Sequence, residues 1–286
     1  MSSRAVLSLA AVLAARRWGG RIKADHCQAC PYDETSHGRY HITVLETPAS
    51  PSPPALNHCF EGNNVSDQQS RQAFFRPDVY EVENLEQARN VIVTPEKGTT
   101  TDERWEKETD YLVDEIGHHL AIEDANCVLD YGCGIGRLSK AMIDRFGCRV
   151  IGVDASKGMR DLAPQYVLSE RFAVWSPEVL GKMAAKGFRF SKAICLWVLQ
   201  HVLNPADTLQ LIDGSLSADA HMYVLNQDSR CVPTNLGYVN DGQDVAVLLQ
   251  SRFEQLERSR LPLEVTTQII AQHASVFVLR KKRAEP

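Results

Sequence analysis

From about Val79 onward the chain alternates short apolar runs with longer segments whose apolar residues recur every three or four positions. The runs "CVLDY" (127–131), "RVIGVD" (149–154), "RFAVW" (171–175), "SKAICLWVL" (191–199) and "HMYVLN" (221–226) predict strands. Between them, "GRLSKAMIDRFG" (136–147) places Leu138, Ala141, Met142, Arg145 and Phe146 at helical spacing. "SKGMRDLAPQY" (156–166), "PEVLGKMAAKG" (177–187) and "NPADTLQLIDGSL" (204–216) also predict helices, the last two with Pro177 and Pro205 in their first turns. Strands and helices alternating at this length imply a parallel sheet covered on both faces, and continuously apolar strands such as "KAICLWVL" agree with burial on both sides. Upstream, "TTDERWEKETDYLVDEIGHHL" (100–120) offers Thr101 as N-cap and sets Trp105, Tyr111, Leu112, Ile116 and Leu120 along one face. Downstream the alternation breaks: helical "DVAVLLQSR" (244–252) is followed by "FEQLERSR" (253–260) and "SVFVLRKK" (275–282). The expected fold is α/β: a doubly wound, mostly parallel seven-stranded sheet with helices on both faces and a C-terminal antiparallel strand.

Residues before about 79 lack either periodicity. "TPASPSPPALN" (47–57) reads as extended linker, so 1–78 is taken as an N-terminal extension and 79–286 as the folded domain. No run reaches the roughly 20 apolar residues needed to span a bilayer. The formal charge of −5 gives no pull toward nucleic acid, and the basic end "RKKRAEP" (280–286) reads as solvated.

The eight cysteines are scattered, and Cys127, Cys148 and Cys195 lie in or beside apolar runs, a usage that suits a reducing compartment. Cys27 and Cys30 have ligand-like spacing, but with His37 and Cys59 at irregular distances they make a poor zinc site, and no metal is expected. The acid-free, arginine-containing first residues fit a transit sequence, a secretory signal with a poor cleavage site, or an extension without a role. Cysteine usage favours the cytoplasm, with organelle import as the alternative.

The candidate chemistry lies in "CVLDYGCGIGRLSKAMI" (127–143), where Gly132, Gly134 and Gly136 fall between a strand and a helix. Background glycine of about 7% yields only ~0.1 occurrences of G-x-G-x-G in a chain of this length. Such a turn removes Cβ atoms so that a ligand can lie against backbone, while the helix beyond presents unpaired N–H groups. The second strand ends at Asp154, where a nucleotide-binding sheet sets an acid against ribose hydroxyls; as a plain alternative, Asp154 caps the next helix. A nicotinamide dinucleotide and S-adenosylmethionine both fit this much. The dinucleotide fingerprint G-x-G-x-x-G, however, needs a glycine where Arg137 stands.

Read as "DYGCGIG" (130–136), the stretch resembles motif I of the class I S-adenosylmethionine-dependent methyltransferases. The resemblance covers about 101–282 and is closest to the small-molecule branch, whose leucine–x–histidine element is matched by "VLQHVLNPADTL" (198–209). It implies that Asp130 and the backbone of Gly132, Cys133, Gly134 and Gly136 surround the methionine part. It further implies that Asp154 holds the ribose diol and that Ala155, Ser156 and Met159 flank the adenine. The family's acid after the third strand is missing; "WSPEVL" (175–180) leaves Ser176 or Glu178 to replace it. Leu196 and Trp197 are expected to line the methionine pocket; Tyr131, next to Asp130, is expected either to pack or to contact the ligand.

Methyl transfer from a sulfonium expels a neutral thioether, so the protein mainly aligns the reactants, with a general base needed only for a protonated acceptor. His201 is the candidate base; its plain reading is a residue that orients its loop. The segments 90–105 and 226–242 are expected to select the acceptor. The fourth strand is followed neither by the Asn/Asp-Pro-Pro-Tyr run of DNA amino-methyltransferases nor by the Pro-Cys of cytosine C5 enzymes. A small organic acceptor, methylated in line on an O, N or C atom, is expected, with protein or RNA as the next alternatives; DNA is not expected. A Rossmann oxidoreductase using NAD(P), or a non-catalytic member that keeps the cofactor site, are the alternatives.

Overall fold

The computed structural model describes residues 72–94 and 99–283; the linker 47–57, the Cys27/Cys30 pair and the N-terminal segment lie outside them. Nine strands are described: β1 Cys127–Tyr131, β2 Arg149–Val153, β3 Phe172–Trp175, β4 Phe190–Leu196, β5 Leu216–Gln227, β6 Val232–Thr234, β7 Gly237–Val239, β8 Phe253–Ser259 and β9 Ala274–Lys281. The helices are α1 Leu85–Ile92, α2 Thr101–Leu120, α3 Arg137–Phe146, α4 Lys157–Val167, α5 Pro177–Ala185, α6 Pro205–Ser215, α7 Val245–Arg252 and α8 Gln268–His273. Seven strands form one sheet in the order β3-β2-β1-β4-β5-β9-β8. The first five run parallel, and β9 is antiparallel to both of its neighbours, β5 and β8. The sheet is therefore the expected one, with the antiparallel strand inserted.

Strand alternation decides what lies on each face. Val128, Ile194, Tyr223 and Leu225 pack under α2 and α3 with Leu112, Ile116, Leu120 and Met142. Leu129, Ile151, Cys195 and Val224 face Leu180 of α5, Leu209 and Ile212 of α6 and Leu249 of α7. Neither face of the inner strands meets water, as their unbroken apolar sequence requires.

Three local features differ from the expectation or were missing from it. The N-cap of α2 is Thr100, not Thr101. Glu103 stands three residues after Thr100, so a capping box closes there: Glu103 N donates to Thr100 Oγ1 (3.2 Å) and Thr100 N to Glu103 Oε2 (2.9 Å). A β6–β7 hairpin follows β5. Residues 72–78 already join the domain, with Arg76 N donating to Pro233 O (2.9 Å) and Asn235 N to Phe74 O (3.1 Å). From that hairpin the chain passes through a 3-10 turn, Pro77–Tyr80, and α1 to reach α2, forming a strap over the β1 and β2 turns. Among the described residues, no helix is long and apolar enough to cross a membrane.

Truncating Leu112, wholly buried under the sheet, as Leu112→Ala is expected to cost about 2–5 kcal/mol. Thr100→Ala, removing the cap, is expected to cost about 1 kcal/mol. Urea unfolding should register both as lower midpoints with unchanged m-values.

Candidate functional site

The strand order reverses between β1 and β4, and the turns following these strands open on the same edge, where α/β sheets bind ligands. The turn after β1 is fastened to β2, for Gly132 N and Cys133 N both donate to Val153 O (2.6 and 3.1 Å). Gly132 has φ +82° and Gly134 φ +55°. A Cβ on Gly132 would stand 2.0 Å from Val198 Cγ2, and one on Gly134 2.6 Å from Ile92 Cδ1. Both positions thus require glycine for backbone conformation and for close approach.

Gly134 N donates to Asp154 Oδ2 (2.8 Å) and Ser156 N to Asp154 Oδ1 (2.9 Å). Each oxygen keeps a further acceptor site, so the carboxylate can still receive two hydroxyl donors. Burial pushes the Asp154 carboxyl above its ordinary range, opposed by those two N–H groups. At the far end of the turn Asp130 is 4% exposed, and Ser139 Oγ donates to its Oδ2 (2.6 Å). Burial raises its pKa to about 6, against the Ser139 hydrogen bond. Cys133 is buried and its Sγ fills the space beside Gly152. Tyr131 is buried in the core.

Ala155 is exposed, whereas Ser156 and Met159 lie beneath the strap. Ser156 caps α4, its Oγ accepting from Met159 N (3.1 Å) and donating to Glu81 Oε2 (3.2 Å). Glu81, from the strap, also accepts from Lys157 N (3.1 Å) and Gly158 N (3.0 Å), so a carboxylate occupies the positive end of that helix. Ser176 and Glu178 open α5 at the end of β3, one strand outward from Asp154, and the Ser176 hydroxyl is used as the α5 cap.

On the other side of the crevice Leu196 closes β4 in the core, and Trp197 follows with φ +60°, its N–H donating to Leu225 O (2.7 Å). A tryptophan in the left-handed region stores strain, which clusters at functional turns. His201 lies in the next turn. Its Nδ1 is 2.8 Å from Cys231 O, so Nδ1 carries the proton and donates, leaving the lone pair on Nε2. Gln200 Nε2 lies 3.3 Å from His201 Nε2. The imidazole stands between the rings of Tyr80 (5.5 Å) and Tyr238 (6.0 Å). Burial, assisted by the nearby Arg230 cation, lowers its pKa to about 4.

Arg230 holds this turn together. It is 1% exposed and donates to the carbonyls of Leu199, Val202 and Leu203, and to both oxygens of Asp241. The sequence had marked 226–242 as an acceptor-selecting segment, but nothing in it singled out Arg230 or Tyr238. Glu81 and Tyr80 were missed because the strap carries only one short helix; Ile92 falls within the segment 90–105 without being singled out there.

A family model described as a methyltransferase domain matches residues 101–280. The ubiquinone biosynthesis O-methyltransferase of Stutzerimonas stutzeri is 28% identical over 117 residues, 37% of this chain and 50% of that protein. Its counterpart from Haemophilus ducreyi is 25% identical over 146 residues, 49% of this chain and 61% of that protein. The matched stretch thus spans only half to three-fifths of these curated relatives. Among solved structures, magnesium protoporphyrin IX methyltransferase from Synechocystis with bound SAM superposes with a TM-score of 0.50 at 16% identity, covering 72% of this chain and 94% of that one. At that identity the likeness speaks for the fold.

The two shifted groups titrate in opposite senses. His201 has a folded pKa of about 4, below the ordinary 6.5, so its contribution to stability is complete above pH 6.5 and is lost on acidification. Asp130 has a folded pKa of about 6, above 3.8, so its contribution is present at low pH and is lost as pH rises through about 6. Relative to wild type, His201→Gln should gain stability on going from pH 6.5 to 4 and Asp130→Asn should lose it, by up to about 3 kcal/mol each. Urea midpoints measured across that window check both signs.

Proposed function

The chain belongs to the class I S-adenosylmethionine-dependent methyltransferase family, and on that premise we propose that it transfers a methyl group from S-adenosylmethionine to a hydroxyl oxygen on a small aromatic acceptor. The observation that carries the cofactor half is the Asp154 carboxylate, tied by Gly134 N–H to the β1 turn while two of its acceptor sites stay open to a ribose diol. A carboxylate there also disfavours a 2′-phosphate. The positive φ of Gly132 and Gly134 is what the turn between Asp130 and Asp154 requires: Gly132 N–H meets Val153 O and Gly134 N–H the Asp154 carboxylate, while Val198 and Ile92 pack where Cβ atoms would stand. Residues of the right chemistry are therefore present for the methionine, ribose and adenine parts, with Asp130, Asp154 and the Ala155–Met159 turn facing them in that order.

When bound, S-adenosylmethionine supplies an electrophilic methyl and a thioether leaving group. The residues around His201 support the acceptor half. Tyr80 and Tyr238 wall the imidazole with aromatic surface, which suits a flat ring. The Nδ1–H···O=C bond to Cys231 keeps Nε2 unprotonated; Gln200 Nε2 donates to that lone pair in the resting protein, and an acceptor hydroxyl takes its place to be oriented. A base with a pKa of about 4 is weak toward a free phenol. An oxygen that is gaining a methyl while still protonated is far more acidic than an imidazolium, so the proton passes to Nε2 late in the transfer. The relatives named as O-methyltransferases support oxygen as the acceptor atom.

Calorimetry should detect S-adenosylhomocysteine binding and no NAD(P) binding, and Asp154→Ala should weaken S-adenosylhomocysteine at least about tenfold. With a panel of phenols and catechols, O-methyl products should form, and His201→Gln should lower kcat by about 100-fold or more. Binding without turnover on any acceptor would point instead to a non-catalytic member. NAD(P) binding in place of S-adenosylhomocysteine would sink the reading.

A further inference from the structure

Two arginines of the domain interior have carboxylate partners. Arg104 Nε donates to Glu108 Oε1 (2.9 Å), and that oxygen also accepts from Thr266 Oγ1 (2.9 Å). Arg230 is paired with Asp241. Arg137, the first residue of α3, is different. It is 4% exposed, its Nη1 has no hydrogen-bond partner, and among the described residues it makes no ion pair. Its guanidinium lies 5.3 Å from the centroid of the Trp105 ring, a contact that satisfies none of its N–H groups. An uncompensated buried cation is costly, and native structures seldom keep one without a role. The carboxylates that act on it electrostatically, Glu108 and Asp130, are hydrogen-bonded elsewhere: Glu108 to Arg104 and Thr266, and Asp130 to Ser139.

The location indicates what the missing partner is. Arg137 directly follows Gly136, and Asp130 precedes Gly132, so the two charges bracket the glycine turn from opposite ends. Each lies close enough to perturb the other electrostatically. The amino-acid end of S-adenosylmethionine is a zwitterion and needs one group of each sign. A planar guanidinium, with its forked donors, matches a carboxylate. We propose that Arg137 binds the α-carboxylate of the bound S-adenosylmethionine and S-adenosylhomocysteine, opposite the ammonium held at Asp130. The proposal rests on the cofactor assignment above, and it adds a residue that selects the intact amino acid.

Three probes separate this role from a structural one. S-adenosylhomocysteine carries the carboxylate, decarboxylated S-adenosylmethionine lacks only that group, and 5′-methylthioadenosine lacks the whole amino-acid end. Calorimetry on the full chain and on Arg137→Met, whose unbranched side chain can still cover Trp105, should show S-adenosylhomocysteine weakened about 10- to 100-fold. The other two probes should bind both proteins alike, and Arg137→Lys should recover part of the loss. Equal weakening of all three probes would assign Arg137 to the fold and overturn the proposal, as would unchanged S-adenosylhomocysteine affinity. Wild-type protein that binds none of the three would remove the cofactor assignment itself, and the carboxylate site with it.

Discussion

The parallel register of β1 against its two neighbours is the constraint on which the site depends. Asp130 stands opposite Gly152 of β2 and Ile194 of β4, and Tyr131 opposite Val153. Because β1 and β2 end level, their turns lie side by side, and Gly134 N–H reaches the Asp154 carboxylate across the gap. A slip of one residue would move Asp130 to the other face of the sheet and put an apolar side chain in its place. The register is held by burial on both faces, since a slip would expose Leu129 or Val128 to the wrong helix layer. Core packing and site geometry are here consequences of the same alignment.

The sheet supplies only the floor. The outer wall comes from residues 72–93, which start on the β6–β7 hairpin and end over the glycine turn. Glu81 provides the fastening on one side, with three donors from the start of α4. Gly158 permits it, because a Cβ there would meet Val82 O at 2.1 Å. The strap also brings Tyr80 to His201, so one segment touches both the Asp154 side and the His201 side of the crevice.

What was legible in the sequence was whatever periodicity could encode. Long elements with strong patterns, such as α2 and the runs around β4 and β9, were found because burial on defined faces repeats at fixed spacing. "DYGCGIG" was legible because positive φ and close packing together admit little but glycine at alternate positions of the turn. The strap was not: α1 has eight residues, and β6 and β7 have three each, too few for a repeat to emerge. Arg137 and Arg230 were hidden for another reason. A charged residue next to a helix start or inside a polar loop reads as solvated, and only tertiary structure reveals 4% and 1% exposure. The one-residue error at Thr101 arose from three consecutive threonines, which Glu103 resolves through the box with Thr100.

The histidine turn illustrates how burial of polar groups and chemical competence are linked. Arg230 directs its donors to three backbone carbonyls and Asp241, which fixes the turn. Its neighbour Cys231 then offers a carbonyl to His201 Nδ1 and takes Gln200 O with its own N–H (2.9 Å), so the dipeptide sets both the position and the tautomer of the ring. The burial that makes the imidazole a weak base also keeps its Nε2 lone pair unprotonated at neutral pH. In the transfer proposed above, where the acceptor proton becomes acidic only as the new bond forms, an unprotonated lone pair held in a fixed direction matters more than resting basicity.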